Sequence, residues 1–197
     1  MKKLYLTTIL AIVSLCVSAQ RGGRSVECFD YDWQFHLTME KGAEQQAGPK
    51  LQEAVSGWET VQLPHDWSIH MIPDSRLTGC NGHLRGGVGE YKKTFSVPAS
   101  DKGKAVSVIF DGIYNRSDVY INGHHLGFRP YGFVQIEYDL TPYLNYGKSN
   151  EIYVRVNNPS ANDSIARWYT GSGIYRHAWL VKRNPVHIKT NGTYLVT

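Results

Sequence analysis

Arg167-Trp-Tyr-Thr-Gly-Ser-Gly-Ile-Tyr-Arg176, continued by His177-Ala-Trp-Leu180, gathers more aromatic, glycine and arginine residues than any other segment of the chain. Gly171 and Gly173 bracket Ser172, so the backbone there can take positive φ or approach another segment closely, and the run that follows predicts a strand over 174–181. The segment reads as a shaped corner. Flat rings beside fixed arginines suit the faces of sugars. The competing expectation, preferred for at least two of Trp168, Tyr169 and Trp179, is that these rings plug a β-sandwich.

Working outward, the chain is a succession of short strand signals separated by turn residues. Alternating aromatic and polar residues predict a first strand over 29–37, after an Arg/Gly-rich lead-in at 20–25 expected to be mobile. A polar loop with at most a helical turn near 51–55 leads to a strand over 58–63, which Pro64 ends by its missing N–H and fixed φ. Residues 71–89 hold five glycines and read as a long irregular insertion. Further strands are predicted over 91–97, 105–110, 133–138 and 151–156, with a helical turn at most in 140–144. Asn122-Gly123 between 117–121 and 124–128 is a strong hairpin signal, since both turn residues accept positive φ. Many short strands and no convincing long helix make the fold class all-β, an antiparallel β-sandwich.

The totals set limits. A chain of 197 residues has room for one domain and a fragment of a second, too little for a sandwich plus a complete (β/α)₈ barrel. Met1-Lys-Lys3, the apolar run to Val17 and Ser18-Ala19-Gln20 have the form of a secretory signal peptide, with cleavage expected after Ala19 and a secreted or periplasmic product. That run falls short of the roughly 20 residues of a bilayer-spanning helix, so no membrane span is expected. Losing Lys2 and Lys3 takes the net charge from +4 to +2, and the scattered basic residues do not suit nucleic acid. In an oxidising compartment Cys28 and Cys80 could form one disulfide, with two independent thiols as the equal alternative.

Three segments in order carry a resemblance that runs from about Phe29 to the end: Leu63-Pro-His-Asp-Trp67, Phe110-Asp-Gly112 and the corner from Arg167 to Arg176. Together they resemble the N-terminal domain of glycoside hydrolase family two, closest to secreted bacterial β-galactosidase-like members. The resemblance implies a jelly roll of the galactose-binding-domain type over 20–183, after a signal peptide at 1–19. It also implies a linker and the first strand, 186–189, of an incomplete immunoglobulin-like domain over 184–197. Both catalytic glutamates of the family lie in a barrel that this chain lacks, so no residue here inherits a catalytic role, and Glu151 after Asn150 is expected on the solvent face of a strand.

What remains is recognition of carbohydrate, with the missing immunoglobulin-like and barrel domains as partners. The candidates for a substrate rim are Arg167, Trp168, Tyr169, Asp66, Trp67 and Arg116. Arg167 stands where relatives often carry a carboxylate that touches the sugar. A guanidinium donates but cannot accept hydrogen bonds, which would suit an acidic or sulfated group; pairing with Asp163 or Asp66 is the equal alternative. Asp66 and Trp67 are expected first as structural residues, one fixing the turn after Pro64 and the other packing. No cofactor or metal is implied: His124 and His125 are adjacent on a strand and point to opposite faces. The rival expectations are a free-standing carbohydrate-binding module and a truncated structural domain without sugar affinity.

Overall fold

The computed structural model describes residues 23–79, 82–158 and 168–196. In chain order the elements are β1 (Arg24–Cys28), β2 (Trp33–Thr38), α1 (Gln52–Ser56), β3 (Glu59–Val61), β4 (Gly87–Ser96), β5 (Ala105–Phe110), β6 (Ser117–Ile121), β7 (His124–Arg129), β8 (Ile136–Asp139), β9 (Ser149–Asn158) and β10 (Ala178–Arg183). A four-stranded sheet in the order β1-β10-β5-β8 faces a six-stranded sheet in the order β3-β2-β4-β9-β6-β7. Every pairing is antiparallel. The chain is therefore a β-sandwich, as its alternating pattern predicts. No helix among the described residues is long and apolar enough to cross a membrane.

Period-two alternation places the core. In β2, Trp33, Phe35 and Leu37 are buried while their neighbours face outward, and β9 does the same with Ile152, Val154 and Val156 against an exposed Glu151. Trp33 sits edge-on to Phe29 and Tyr91, at 5.8 and 6.5 Å between ring centres. Its indole N–H donates to the Phe29 carbonyl at 2.8 Å, so its one polar atom is satisfied inside the core. Asn122 and Gly123 turn the β6–β7 hairpin with φ of 48° and 81°. Asn122 also accepts from the Glu151 N–H at 2.9 Å and donates to the buried Asn150 side chain at 2.8 Å, which ties the hairpin to the β9 entry.

The structure corrects four expectations. The described end of the lead-in is ordered from Arg24 onward: β1 pairs residue by residue with β10, and its five side chains are all exposed, so no apolar alternation announced it. The irregular insertion ends earlier than residue 89, because Gly87 and Gly89 already lie in β4. A Cβ at Gly89 would come within 2.8 Å of the Trp67 ring, so the strand is glycine there to let Trp67 pack upon it. The last strand starts at Ala178 rather than residue 174, since the backbone before it is engaged in the corner described below. Residues 186–189 form no strand, and Val186 and Ile188 are 92% and 75% exposed. The helical turns do fall where expected, at α1 and at Thr141–Tyr143, where the Asp139 carboxylate accepts from the Thr141 N–H at 2.9 Å.

Cys28 carries a free, exposed thiol that donates to the Asp30 carboxylate at 3.4 Å. Cys80 and the leader lie outside the described residues.

Candidate functional site

Three loops meet at one end of the sandwich. The chain leaving β3 through Pro64 runs beside the corner: the His65 N–H donates to the Ile174 carbonyl at 2.8 Å and the Trp67 N–H to the Ser172 carbonyl at 3.3 Å. From the other side the loop after β5 joins it, with Tyr114 and Gly173 exchanging N–H···O bonds of 2.8 and 2.9 Å. Gly171 and Gly173 have φ of +72° and +108°, the left-handed values that the sequence anticipates for the corner.

Asp66 organises this junction. One carboxylate oxygen accepts from the N–H groups of Ser68 and Ser172, at 2.9 and 2.8 Å, and the other from the Tyr169 hydroxyl at 2.5 Å. Beneath it, the Ser68 and Ser172 hydroxyls lie 2.5 Å apart, and Asn158 donates to Ser172 at 2.5 Å. Partial burial, then the bond to Asp66, pushes the Tyr169 hydroxyl well above the ordinary tyrosine range, so it donates at any physiological pH. The Asp66 carboxylate thus acts as a fixed acceptor that holds the turn, in agreement with the structural expectation.

The rim candidates separate. Trp168 and Tyr169 are 64% and 46% exposed, and Trp179 is half-buried with its indole N–H on Asp111 at 2.8 Å, so the expectation that at least two of these rings plug the core is overturned. The plugging rings are Trp33 and Trp67 instead, both fully buried. Trp67 therefore cannot stack on a ligand, which removes it from the rim. Arg116 is exposed on the loop after β5, with its N–H directed to the Pro130 carbonyl at 3.4 Å and no partner for its guanidinium among the described residues. Arg167 and Asp163 lie outside the described residues.

Sequence reading missed a second set of rings at this end. Phe133 contacts Tyr114 and Tyr131 at 5.1 and 5.6 Å, and Tyr175 at 6.4 Å, while the Arg176 guanidinium lies 5.5 Å from the Tyr175 ring. The Tyr175 hydroxyl donates to the Gly132 carbonyl at 3.0 Å, and a Cβ at Gly132 would come within 2.8 Å of the Ile113 carbonyl oxygen. The available signal was Pro130-Tyr-Gly-Phe133, turn residues carrying aromatics, which the strand prediction over 133–138 absorbed. Among the described residues no three His, Cys, Asp or Glu side chains gather as metal ligands would.

Behind the corner, His65 is half-buried against Phe35, with Nδ1 2.8 Å from the Tyr91 hydroxyl. Burial, then the nearby His70, lowers its pKa from 6.5 to about 4. Below 6.5 the unfolded chain binds a proton that the folded chain refuses. Stability is therefore full above that pH and falls as pH drops towards 4, by on the order of 3 kcal/mol from this group. Urea unfolding at about pH 7.5 and about pH 4.5 should give a larger acid loss for the wild type than for His65→Gln. Equal losses would rule His65 out as the source.

The fold and the corner together define a jelly-roll type of β-sandwich domain with outward aromatic rings on one loop-built end. The sequence profile described as glycosyl hydrolases family 2, sugar binding domain, matches residues 26–184, and the chain belongs to that family. It is 44% identical over 176 residues to a beta-galactosidase of Bacteroides ovatus, covering 86% of this chain and 19% of that protein. It is 32% identical over 194 residues to a beta-glucuronidase of Formosa agariphila, covering 87% of this chain and 19% of the relative. Among solved structures, a beta-glycosidase from Bacteroides vulgatus superposes with a TM-score of 0.67 at 41% identity, over 82% of this chain and 20% of the other. The chain thus spans about a fifth of the length of the relatives it matches.

Proposed function

We propose that the chain is the non-catalytic N-terminal sandwich of a secreted, β-galactosidase-like glycosidase that cleaves O-glycosyl bonds, and that Trp168 and Tyr169 stand on the rim of its sugar pocket. The observation that carries this reading is the tethered corner: two outward rings, one hydrogen-bonded to an Asp66 that is itself fixed by two backbone N–H groups. A rim that must present rings to a sugar needs such rigidity, since holding a side chain in place beforehand lowers the entropy lost on binding. Retaining glycoside hydrolysis needs two carboxyl groups about 5–5.5 Å apart, and the corner's own carboxylate, Asp66, is committed to its turn. Secretion rests on the basic, apolar and small-residue pattern of residues 1–19.

The purified chain should release no nitrophenol from p-nitrophenyl β-galactoside. In a complete enzyme that carries this domain, Trp168→Ala should raise KM several-fold with kcat within about twofold, the signature of lost ground-state binding. Turnover by the chain alone, after controls for contaminating enzyme, would refute the non-catalytic assignment. An unchanged KM would refute the rim.

A further inference from the structure

Beyond β10 the chain runs beside the outer face of the four-stranded sheet, and what holds it there is polar. On that face Val181 and Ile109 are buried and Trp179 is half-buried, so an apolar residue at 183 would continue the row. The position holds Arg183 instead, 5% exposed. Its guanidinium divides between two segments. Nη1 reaches across the sheet, donating to the Ser107 hydroxyl of β5 at 2.9 Å and to the Glu137 carboxylate of β8 at 2.6 Å. Nη2 donates to the Thr190 hydroxyl at 2.6 Å, seven residues further along the chain. Partial burial would raise the Glu137 carboxyl, yet the donors of Thr190, Ser107 and Arg183 hold it below its ordinary range, so the acceptor stays charged.

Apolar contact does not hold the exit segment. Val186 and Ile188 are 92% and 75% exposed. An open cleft of about 420 Å³ separates His187, Lys189 and Thr190 from Ser107, Glu137 and Asp139. Apart from Thr190, its attachment to the sandwich among the described residues is one bond at its root, from the Asn184 N–H to the Gly23 carbonyl at 2.8 Å. Its other bonds are internal turns: His187 Nδ1 lies 2.7 Å from the Asn184 carbonyl, and the Gly192 N–H donates to the Lys189 carbonyl at 2.9 Å.

We propose that Arg183 is a positioning residue: by joining Thr190 to Ser107 and Glu137, it fixes the direction in which the chain leaves the sandwich. A buried ion pair is a poor source of stability, since apolar residues of similar volume often serve a fold as well. Forked donors suit a different task, the holding of two segments in one fixed relation. That relation extends to the corner. β10 starts at Ala178, two residues past Arg176, and ends at Arg183, roughly 17 Å away along a strand paired on both sides. Corner and exit are therefore parts of one rigid piece. The use of this device rests on the reading above, in which the sandwich holds rim rings in register with another part of a glycosidase.

Amide order parameters from NMR relaxation of the purified chain test the clamp. Residues 187–191 are expected at about 0.8 in the wild type and below about 0.6 in Thr190→Val, which removes only the exit half of the clamp. Residues 178–183 and the melting temperature should not change in that variant. Arg183→Gln should loosen the exit and also lower the melting temperature, because Glu137 loses its charge partner. Arg183→Lys keeps the charge but not the fork, so it should recover the melting temperature and leave the exit loose. Wild-type order parameters in Thr190→Val overturn the clamp, as does an exit already below about 0.6 in the wild type. In a complete enzyme that carries this domain, Thr190→Val should raise KM about threefold at unchanged kcat. It should add less than about twofold to Trp168→Ala, because both act through one rim. A loose exit with KM unchanged, where Trp168→Ala raises it, overturns the positioning role. If Trp168→Ala also leaves KM unchanged, the rim reading falls, and the order parameters still decide the clamp.

Discussion

Trp67→Ala is expected to lower the unfolding free energy by about 3–5 kcal/mol, whereas Trp168→Ala, three residues from Gly171 in the corner, should change it by no more than about 0.5 kcal/mol. The two rings belong to neighbouring segments of one junction and differ in what surrounds them. Trp67 is fully buried, stacked on Phe35 at 5.6 Å with 24° between the ring planes, and seated over Gly89 and Gly173. Deleting it opens a cavity that cannot close readily, because two of its walls are glycine backbone, one held in the β4 ladder and the other paired with Tyr114. Trp168 is 64% exposed and leaves no cavity. Urea unfolding followed by circular dichroism measures both. A Trp67→Ala loss below about 1 kcal/mol would show that the corner relaxes and is not the rigid platform argued above.

Gly173→Ala should cost about 4 kcal/mol, from two sources that a control separates. The first is the φ of +108°, which penalises any side chain by about 1–2 kcal/mol. The second is overpacking of about 1–3 kcal/mol: the new methyl would lie 2.8 Å from the His65 carbonyl oxygen and closer still to the Tyr91 hydroxyl. Neither neighbour can yield, since His65 donates its N–H to Ile174 and Tyr91 is buried with its hydroxyl on His65. At Gly123 φ is also positive, +81°, but nothing lies within 4 Å of the added carbon, so Gly123→Ala should show the backbone penalty alone. Equal losses at the two positions would mean that crowding at the corner contributes nothing.

The sandwich was legible in the sequence where one strand face is buried, because β2, β6 and β9 then alternate on their own evidence. The Asn122-Gly123 hairpin was legible for a local reason, as its backbone demands those residues. β1 was not, because an edge strand with every side chain exposed has no pattern to display and exists only through its distant partner β10. The same distinction governs the site. The left-handed glycines of the corner could be read from the chain, and the resemblance of the corner to a family was sound. Which rings face inward could not be read: Trp67 and Trp168 are the same residue type in similar motifs, and only the glycines opposite Trp67 determine that it is the one received into the core. The arginine-edged ring patch escaped because its members come from three separate loops, and no spacing within one loop records that they meet.

In the four-stranded sheet, no two strands that are consecutive along the chain lie side by side. Its second strand, β10, ends at Arg183 and stands between β1 and β5, so neither of those can be completed until the final strand has been synthesised. A ribosome making this polypeptide completes β5 at Phe110 and β8 at Asp139 but β10 only at Arg183, so the apolar inner faces of β5 and β8 wait through the intervening synthesis, a wait that sequence-distant pairing lengthens further. The six-stranded sheet can assemble from β2 to β9 in the meantime, which makes it the natural template on which the later sheet closes. Ribosome-associated chaperones that shield nascent apolar segments should therefore matter most to this domain in the interval before β10 emerges.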